Sequence, residues 1–264
     1  MPRRLAIALL LLAAPACRSA APAATPSTPA APRATAPAAA PAAVGAAATT
    51  AARPAPEAIH WARSAAEHRA LFLQVYAMAT SRVEAEAATR APGSWGVVLD
   101  ADETVIDNST YQLEQARLGK PFEAASWHAW TARREAVPLP GASAFLARVH
   151  ALGGRIAIVT NRAVSECPDT EAVFRAQALA YDALLCKPDG GPSDKNPRFE
   201  AVAHGTTGTG LPPLEVVAFV GDNINDFPGL SQALRSRDDA AFAEFGRRFF
   251  LLPNAMYGSW ERND

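Results

Sequence analysis

Two carboxylates spaced Asp-x-Asp, Asp100 and Asp102, close the short apolar run Val97-Val98-Leu99, and the hydroxyl of Thr104 follows two residues on. The run from Gly96 to Leu99 has no polar break and reads as a strand buried on both faces, the kind used in parallel sheets. In open α/β sheets, ligands bind just beyond the carboxyl ends of the strands, which is where these aspartates fall. Hard oxygen ligands there suit a Mg²⁺ ion shared with a phosphate. Either carboxylate could instead attack phosphorus and form an aspartyl-phosphate. Asp-x-Asp is also ordinary turn chemistry, with the side chain bonded to nearby backbone, so the pair takes its meaning from what else the chain brings to it.

Two later stretches repeat the arrangement. The apolar run Ile156-Ala157-Ile158-Val159 ends in Thr160-Asn161-Arg162, a hydroxyl, an amide and a guanidinium able to hold a phosphate by hydrogen bonds and charge. The run Val216-Val217-Ala218-Phe219-Val220 ends in Gly221-Asp222-Asn223-Ile224-Asn225-Asp226, which places Asp222 and Asp226 at a strand's end. Between these stretches, Lys187 and Lys195 flank a loop of Pro, Gly, Ser and Asp. One of them could neutralise charge on a phosphoryl group; solvated lysines are the plain alternative. Carboxylates clustered this densely need a cation, because unpaired buried charge is costly.

The elements that must position these residues alternate strand and helix. Residues 56–89 read as a helix with Ile59, Ala62, Ala66, Leu73 and Ala77 on its apolar face, started by Pro56 and stopped by Pro92-Gly93. His60, Trp61 and His68 within it have no partner at a ligand spacing and read as surface or packing residues. Residues 141–152 form a helix stopped by Gly153-Gly154. A helix over 169–181, a short strand at 183–185, a helical turn near 199–203, a short helix near 240–245 and an apolar run at 249–252 follow. Residues 109–140 are an insert between the first strand and the next core helix, with a helix over 124–134. It carries Tyr111, Trp127, His128 and Trp130, and its place in the chain sets it over the active end of the sheet as a cap.

The chain's 264 residues predict one or two domains, and a formal net charge of −1 argues against a dedicated nucleic-acid binder. Residues 1–17 read as an export signal: Arg3 and Arg4, then an apolar stretch from Leu5 to Ala14 too short to span a bilayer, then small residues before Cys17. The pattern resembles a bacterial lipoprotein signal, which implies lipid on Cys17; ordinary cleavage without lipid is the alternative. Arg18 follows, where an Asp would imply retention at the inner membrane, so an outer-membrane lipoprotein is expected. Residues 18–56, rich in Ala, Pro, Thr and Ser, cannot bury a core and read as a tether. The folded part is residues 57–264. With Cys17 lipidated, Cys167 and Cys186 are the remaining cysteines. An exported protein meets an oxidising compartment, and the helix and strand that follow Cys167 can bring the two side by side, so a disulfide is expected; two buried thiols are the alternative.

Taken in order, Asp100-Ala101-Asp102-Glu103-Thr104, Thr160, a lysine, and Asp222 with Asp226 resemble the haloacid dehalogenase superfamily of phosphatases. The longer pattern narrows this. Asp107-Asn108 and Tyr111 follow the first motif, Gly221-Asp222-Asn223-x-x-Asp226-Phe227 stands later, and Leu252-Pro253-Asn254-Ala255-x-Tyr257-Gly258-x-Trp260 closes the chain. Together they resemble the class C nonspecific acid phosphatases, which include lipoprotein 5′-nucleotidases of bacterial outer membranes. The resemblance runs from about Trp95 to Trp260 and implies an α/β fold, a doubly wound parallel sheet with a mainly helical cap. The cap would draw on the N-terminal helix, the insert and the C-terminal segment.

The same resemblance implies Asp100 as nucleophile and Asp102 as proton donor and then base. It implies Mg²⁺ held by Asp100, the carbonyl of Asp102, Asp222 and Asp226, with Thr160 and Lys195 on the phosphoryl oxygens and Asn161 and Arg162 binding substrate. The setting of Lys195, with Arg198 and Phe199 after it, fits the family's lysine better than Lys187. Tyr111, Trp127 and Tyr257 correspond to aromatics that stack a base or aryl group, though large aromatics also simply pack. The implied partners are a small phosphomonoester, a membrane through the lipid alone, no nucleic-acid polymer, and a second copy of the chain. A phosphotransferase on the same site, or a storage protein on the same fold, are the competing readings.

Overall fold

The computed structural model describes residues 54–263. The export signal, Cys17 and nearly all of the tether lie outside the described residues. Helices α1 (Glu57–Ser64) and α2 (Ala66–Ala87) lead into β1 (Trp95–Leu99). The cap follows as β2 (Ile106–Asp107), α3 (Ser109–Leu118), α4 (Ala124–Arg133) and β3 (Val137–Pro138), with β2 and β3 paired antiparallel at its base. The chain then runs α5 (Ala142–Ala151), β4 (Arg155–Ala163), α6 (Cys167–Ala176), β5 (Ala183–Lys187), α7 (Asn196–His204), β6 (Glu215–Gly221) and β7 (Phe249–Leu251).

Among the described residues, five parallel strands form one sheet in the order β5-β4-β1-β6-β7. The central strand β1 is fully buried, with Leu99 opposite Ile158 on one side and Val220 on the other. Because alternate side chains leave opposite faces of a strand, Val97 and Leu99 join one apolar cluster, with Phe72 and Tyr76 of α2 and Phe145 and Leu146 of α5. Val98 joins the other, with Phe199 and Val202 of α7 and Phe219. Helices on both faces make continuous apolar strands the stable solution. The strand order reverses beside β1, so the ends of β4, β1 and β6 open on one crevice.

Several sequence expectations change in the structure. The single helix over 56–89 is two, broken where Ala65 takes an extended conformation (φ −79°, ψ 131°). The break lets α2 lie along α5 and the sheet while α1 turns to α3, where Arg63 donates to Ser109 Oγ at 2.9 Å and to Thr110 Oγ1 at 3.1 Å. The buried stripe of α2 is His68, Phe72, Tyr76, Ala79 and Val83; Leu73, assigned to the core, is 43% exposed. Aromatic bulk decides the face, because Phe72 and Tyr76 bury more area than the small residues of the expected stripe. Thr160-Asn161-Arg162 lie inside β4 rather than beyond it, and the helix expected over 169–181 ends at Ala176. The stretch near 240–245 is a single 3₁₀ turn, Asp239–Phe242.

Cys167 at the start of α6 and Cys186 in β5 are joined, with Cα atoms 6.3 Å apart. Among the described residues, no helix is long and apolar enough to cross a membrane.

Candidate active site

The loop after β1 carries the first acidic pair. Asp100 donates its backbone N–H to the Val220 carbonyl at 3.0 Å, so the loop starts anchored to β6. Asp226 stands in the 3₁₀ turn Ile224–Asp226 after β6. Gly221 makes this turn feasible, since a Cβ there would collide with the Asp226 side chain. Lys195, at the N-terminus of α7, reaches between the two: its Nζ donates to Asp100 Oδ1 and to Asp226 Oδ1, each at 2.6 Å. All three side chains are almost wholly buried. Lys187, in β5, has no contact with this group among the described residues.

Asp222 lies beside them. Thr104 Oγ1 donates to its Oδ1 at 3.0 Å and Asn254 Nδ2 to its Oδ2 at 2.9 Å. Oxygens of Asp100, Asp222 and Asp226 all fall within 4.8 Å of one another. Burial, with Lys195 opposing and the nearby carboxylates adding, pushes the Asp100 carboxyl up to about 7. Burial and then Asp226 and Asp100 hold Asp222 well above its usual range. Burial works against the Lys195 ammonium, but Asp100 and Asp226 outweigh it and raise its pKa. Three clustered carboxylates against one ammonium leave negative charge without a counterpart, and the donors are hard oxygens. That set fits a divalent cation such as Mg²⁺.

Asp102 lines the same cavity but bonds a different set of partners. Arg162 grips it through Nε and Nη2, and Asn108 Nδ2 donates to Oδ1 at 2.8 Å. Glu103 is buried at φ 52°, where its carboxylate accepts the Asn108 backbone N–H at 2.8 Å and the Tyr257 hydroxyl. Burial, then Asp102 and Asp222, lifts its pKa well above the ordinary glutamate range. Thr160 is fully buried, and its hydroxyl accepts the Arg162 backbone N–H at 3.1 Å. Arg198 of α7 donates to the Thr160 carbonyl and, at 2.7 Å, to Asn161 Oδ1, tying α7 to the end of β4.

A cavity of 670 Å³ opens over this group. Asp100, Asp102, Asp222, Asp226, Lys195 and Asn161 line it, together with the aromatics Tyr111, Phe122, Trp127 and Tyr257. Tyr111 is buried behind Trp127, edge-on with ring centres 5.2 Å apart, and its hydroxyl bonds Ser126 Oγ at 2.9 Å.

Comparison with known proteins agrees with this geometry. A family model described as HAD superfamily, subfamily IIIB (Acid phosphatase), matches residues 24–260. The chain belongs to this acid phosphatase family. Solved structures agree. A class C acid phosphatase from Bacillus anthracis is 30% identical, with a TM-score of 0.67 over 77% of this chain and 85% of that one. A second structure of that organism's class C acid phosphatase, with tungstate bound, is 29% identical, with the same TM-score and coverage. The protein is thus a phosphomonoesterase on a haloacid dehalogenase fold.

Within this acid phosphatase, Asp100, Asp102, Lys195, Asp222 and Asp226 meet at one end of the sheet, with Asn161, Tyr111, Trp127 and Tyr257 around the cavity. Arg162 also lines the cavity, but its guanidinium is 1% exposed and bonded to Asp102. The opposite charge nearest to it decides this, since a buried guanidinium needs a carboxylate partner. Thr160 turns its hydroxyl to backbone and is not among the residues lining the cavity. Sequence reasoning missed the roles of Glu103, Asn108 and Asn254, although each stands in a motif it had singled out. Phe122 and Thr170 carried no signal.

Proposed function

We propose that this is an exported, Mg²⁺-dependent acid phosphatase that hydrolyses nucleoside 5′-monophosphates and aryl phosphates through an aspartyl-phosphate on Asp100. The observation that carries the reading is the Asp100 carboxylate in a cavity that aromatic side chains also line, with the Lys195 ammonium 2.6 Å from its Oδ1. Tungstate bound to a class C relative supports a tetrahedral oxyanion as ligand.

In this reading Asp100 attacks phosphorus while Asp102 gives a proton to the departing ester oxygen. Asp102 then takes a proton from water, which cleaves the aspartyl-phosphate. Lys195 faces the phosphoryl oxygens, where transition-state charge gathers, and keeps Asp226 from standing unpaired. Asn161, held by Arg198 and by its own bond to the Ser193 carbonyl at 3.0 Å, presents its amide at the cavity's edge. Asp100, the Asp102 carbonyl and Asp222 would hold Mg²⁺, with Asp226 beside them, and the ion supplies positive charge against the carboxylates and the phosphate. Export rests on residues 1–17 and attachment on Cys17, with residues 18–56 as the tether.

Acid-quenched enzyme incubated with labelled phosphomonoester tests the chemistry. Label should appear on the wild-type protein and vanish in Asp100→Asn, with turnover near background. Chelation should abolish phosphate release and added Mg²⁺ restore it. Full activity after exhaustive chelation, or label retained by Asp100→Asn, refutes the site.

A further inference from the structure

The guanidinium of Arg162 is 1% exposed, a buried charge that the chemistry above leaves without work. Its bonds to Asp102 are uneven. Asp102 Oδ1 accepts from Arg162 Nη2 at 2.8 Å, from Arg162 Nε at 2.9 Å and from Asn108 Nδ2 at 2.8 Å. Among the described residues, Oδ2 receives only a longer contact from Arg162 Nε, at 3.2 Å. The donors are themselves fixed. Asn108 Oδ1 accepts from Trp130 Nε1 at 2.8 Å and from Arg162 Nη2 at 3.1 Å. Arg162 Nη1 donates to Thr170 Oγ1 at 3.2 Å, and that hydroxyl donates to the Glu166 carbonyl at 3.0 Å. The guanidinium also lies over the Trp127 ring, 5.5 Å from its centre.

We infer that Arg162 is a positioning residue: it pins Asp102 by Oδ1, so that Oδ2 is the oxygen that exchanges the proton with the ester. A carboxylate oxygen offers about two lone-pair sites, and three donors exhaust them on Oδ1. A proton on Oδ1 would face N–H groups, whereas a proton on Oδ2 meets no crowd of donors. The inference rests on the proposed reading of Asp102 as proton donor. As Asp100 bonds to phosphorus and the phosphorus–oxygen ester bond breaks, the Oδ2 proton passes to the ester oxygen and the alcohol leaves neutral. A lysine cannot reproduce the hold, because it lacks the planar fork that makes two fixed bonds.

Leaving groups separate positioning from bulk damage. A nitrophenolate departs without a proton; an alkoxide needs one. The test compares kcat/KM for p-nitrophenyl phosphate and for a simple alkyl phosphate, since kcat/KM reports the steps through alcohol release. Arg162→Gln and Arg162→Lys should lose at least about tenfold more on the alkyl ester than on the nitrophenyl ester, given the about 10²–10⁴-fold that a placed general acid contributes. Thr170→Val, which keeps the volume and removes one support, should show the same bias to a smaller degree, and it serves if the Arg162 variants fail to fold. Asp102→Asn is measured alongside. Bias in Asp102→Asn without bias in the Arg162 and Thr170 variants overturns this inference alone. No bias in Asp102→Asn overturns the proton-donor reading beneath it, and the inference falls with it.

Discussion

Replacing Lys195 by Met tests the electrostatic design of the site directly. Met keeps the unbranched reach of the side chain and removes the ammonium that bonds Asp100 and Asp226 at 2.6 Å each. Both carboxylates are buried, with 11% and 5% of their side-chain surface exposed, so solvent does little to replace the lost partner. Breaking a buried pair by deleting one member costs about 3–5 kcal/mol. For a domain of this size that converts to a fall in Tm of roughly 6–20 °C, in chelated buffer near pH 8.

Acid should narrow the gap. Burial pushes the Asp100 carboxyl up to about 7 in the folded chain, above the unfolded carboxyl, so without a cation its contribution is fully present below the unfolded value. It is lost as pH rises through the folded value. Deleting Lys195 removes the influence that lowers that value, so the variant takes up protons more readily than wild type. Melting by circular dichroism in chelator at pH 5 and pH 8 should therefore show a smaller deficit at pH 5, in the window between the two values. Equal melting of variant and wild type, or a deficit that ignores pH, refutes the claim that Lys195 balances these carboxylates.

The Cys167–Cys186 bridge closes a loop of 19 residues, so reduction, or the double Ser variant, should lower stability by about 3 kcal/mol in urea titration; an unchanged midpoint refutes it. Trp127→Ala should erase the advantage of nucleotides and aryl phosphates over glycerol phosphate, because stacking is worth about 1–3 kcal/mol per base; equal loss on all substrates shows packing only. Cys17→Ser should release the protein from the membrane fraction or leave it unprocessed, and fractionation like wild type refutes the anchor.

The strands were legible because β1, β4 and β6 are short apolar runs buried on both faces, a pattern that needs no knowledge of partners. The ends of β1 and β6 carried the acidic residues in plain view at Asp100 and Asp222, whereas Thr160 in β4 gave no sign that its hydroxyl turns to backbone. Helix α3 was not legible: it buries only Ser109 and Tyr111, so no apolar stripe marks it. The turn at Ala65 was hidden because an alanine breaks no helix by propensity; α1 and α2 part to reach different surfaces. Lys187 and Lys195 flank one loop, and only the start of α7 decides which reaches Asp100. Arg162 showed its charge but not its direction, since Asp102 lies 60 positions earlier and meets it only across adjacent strands.

The segment after β7 ties the cation site to the far end of the chain. Asn254 bonds Asp222 across 32 positions, and Tyr257 bonds Glu103 across 154. Thr104 in turn bonds Asp222 across 118. Closure of such distant pairs is slow, because loop entropy must be overcome before any contact rewards it. During synthesis the acidic loop after β1 emerges long before the asparagine and tyrosine that brace it. A chain cut short before Asn254 would carry every carboxylate of the cation site yet lack the asparagine and tyrosine that bond Asp222 and Glu103.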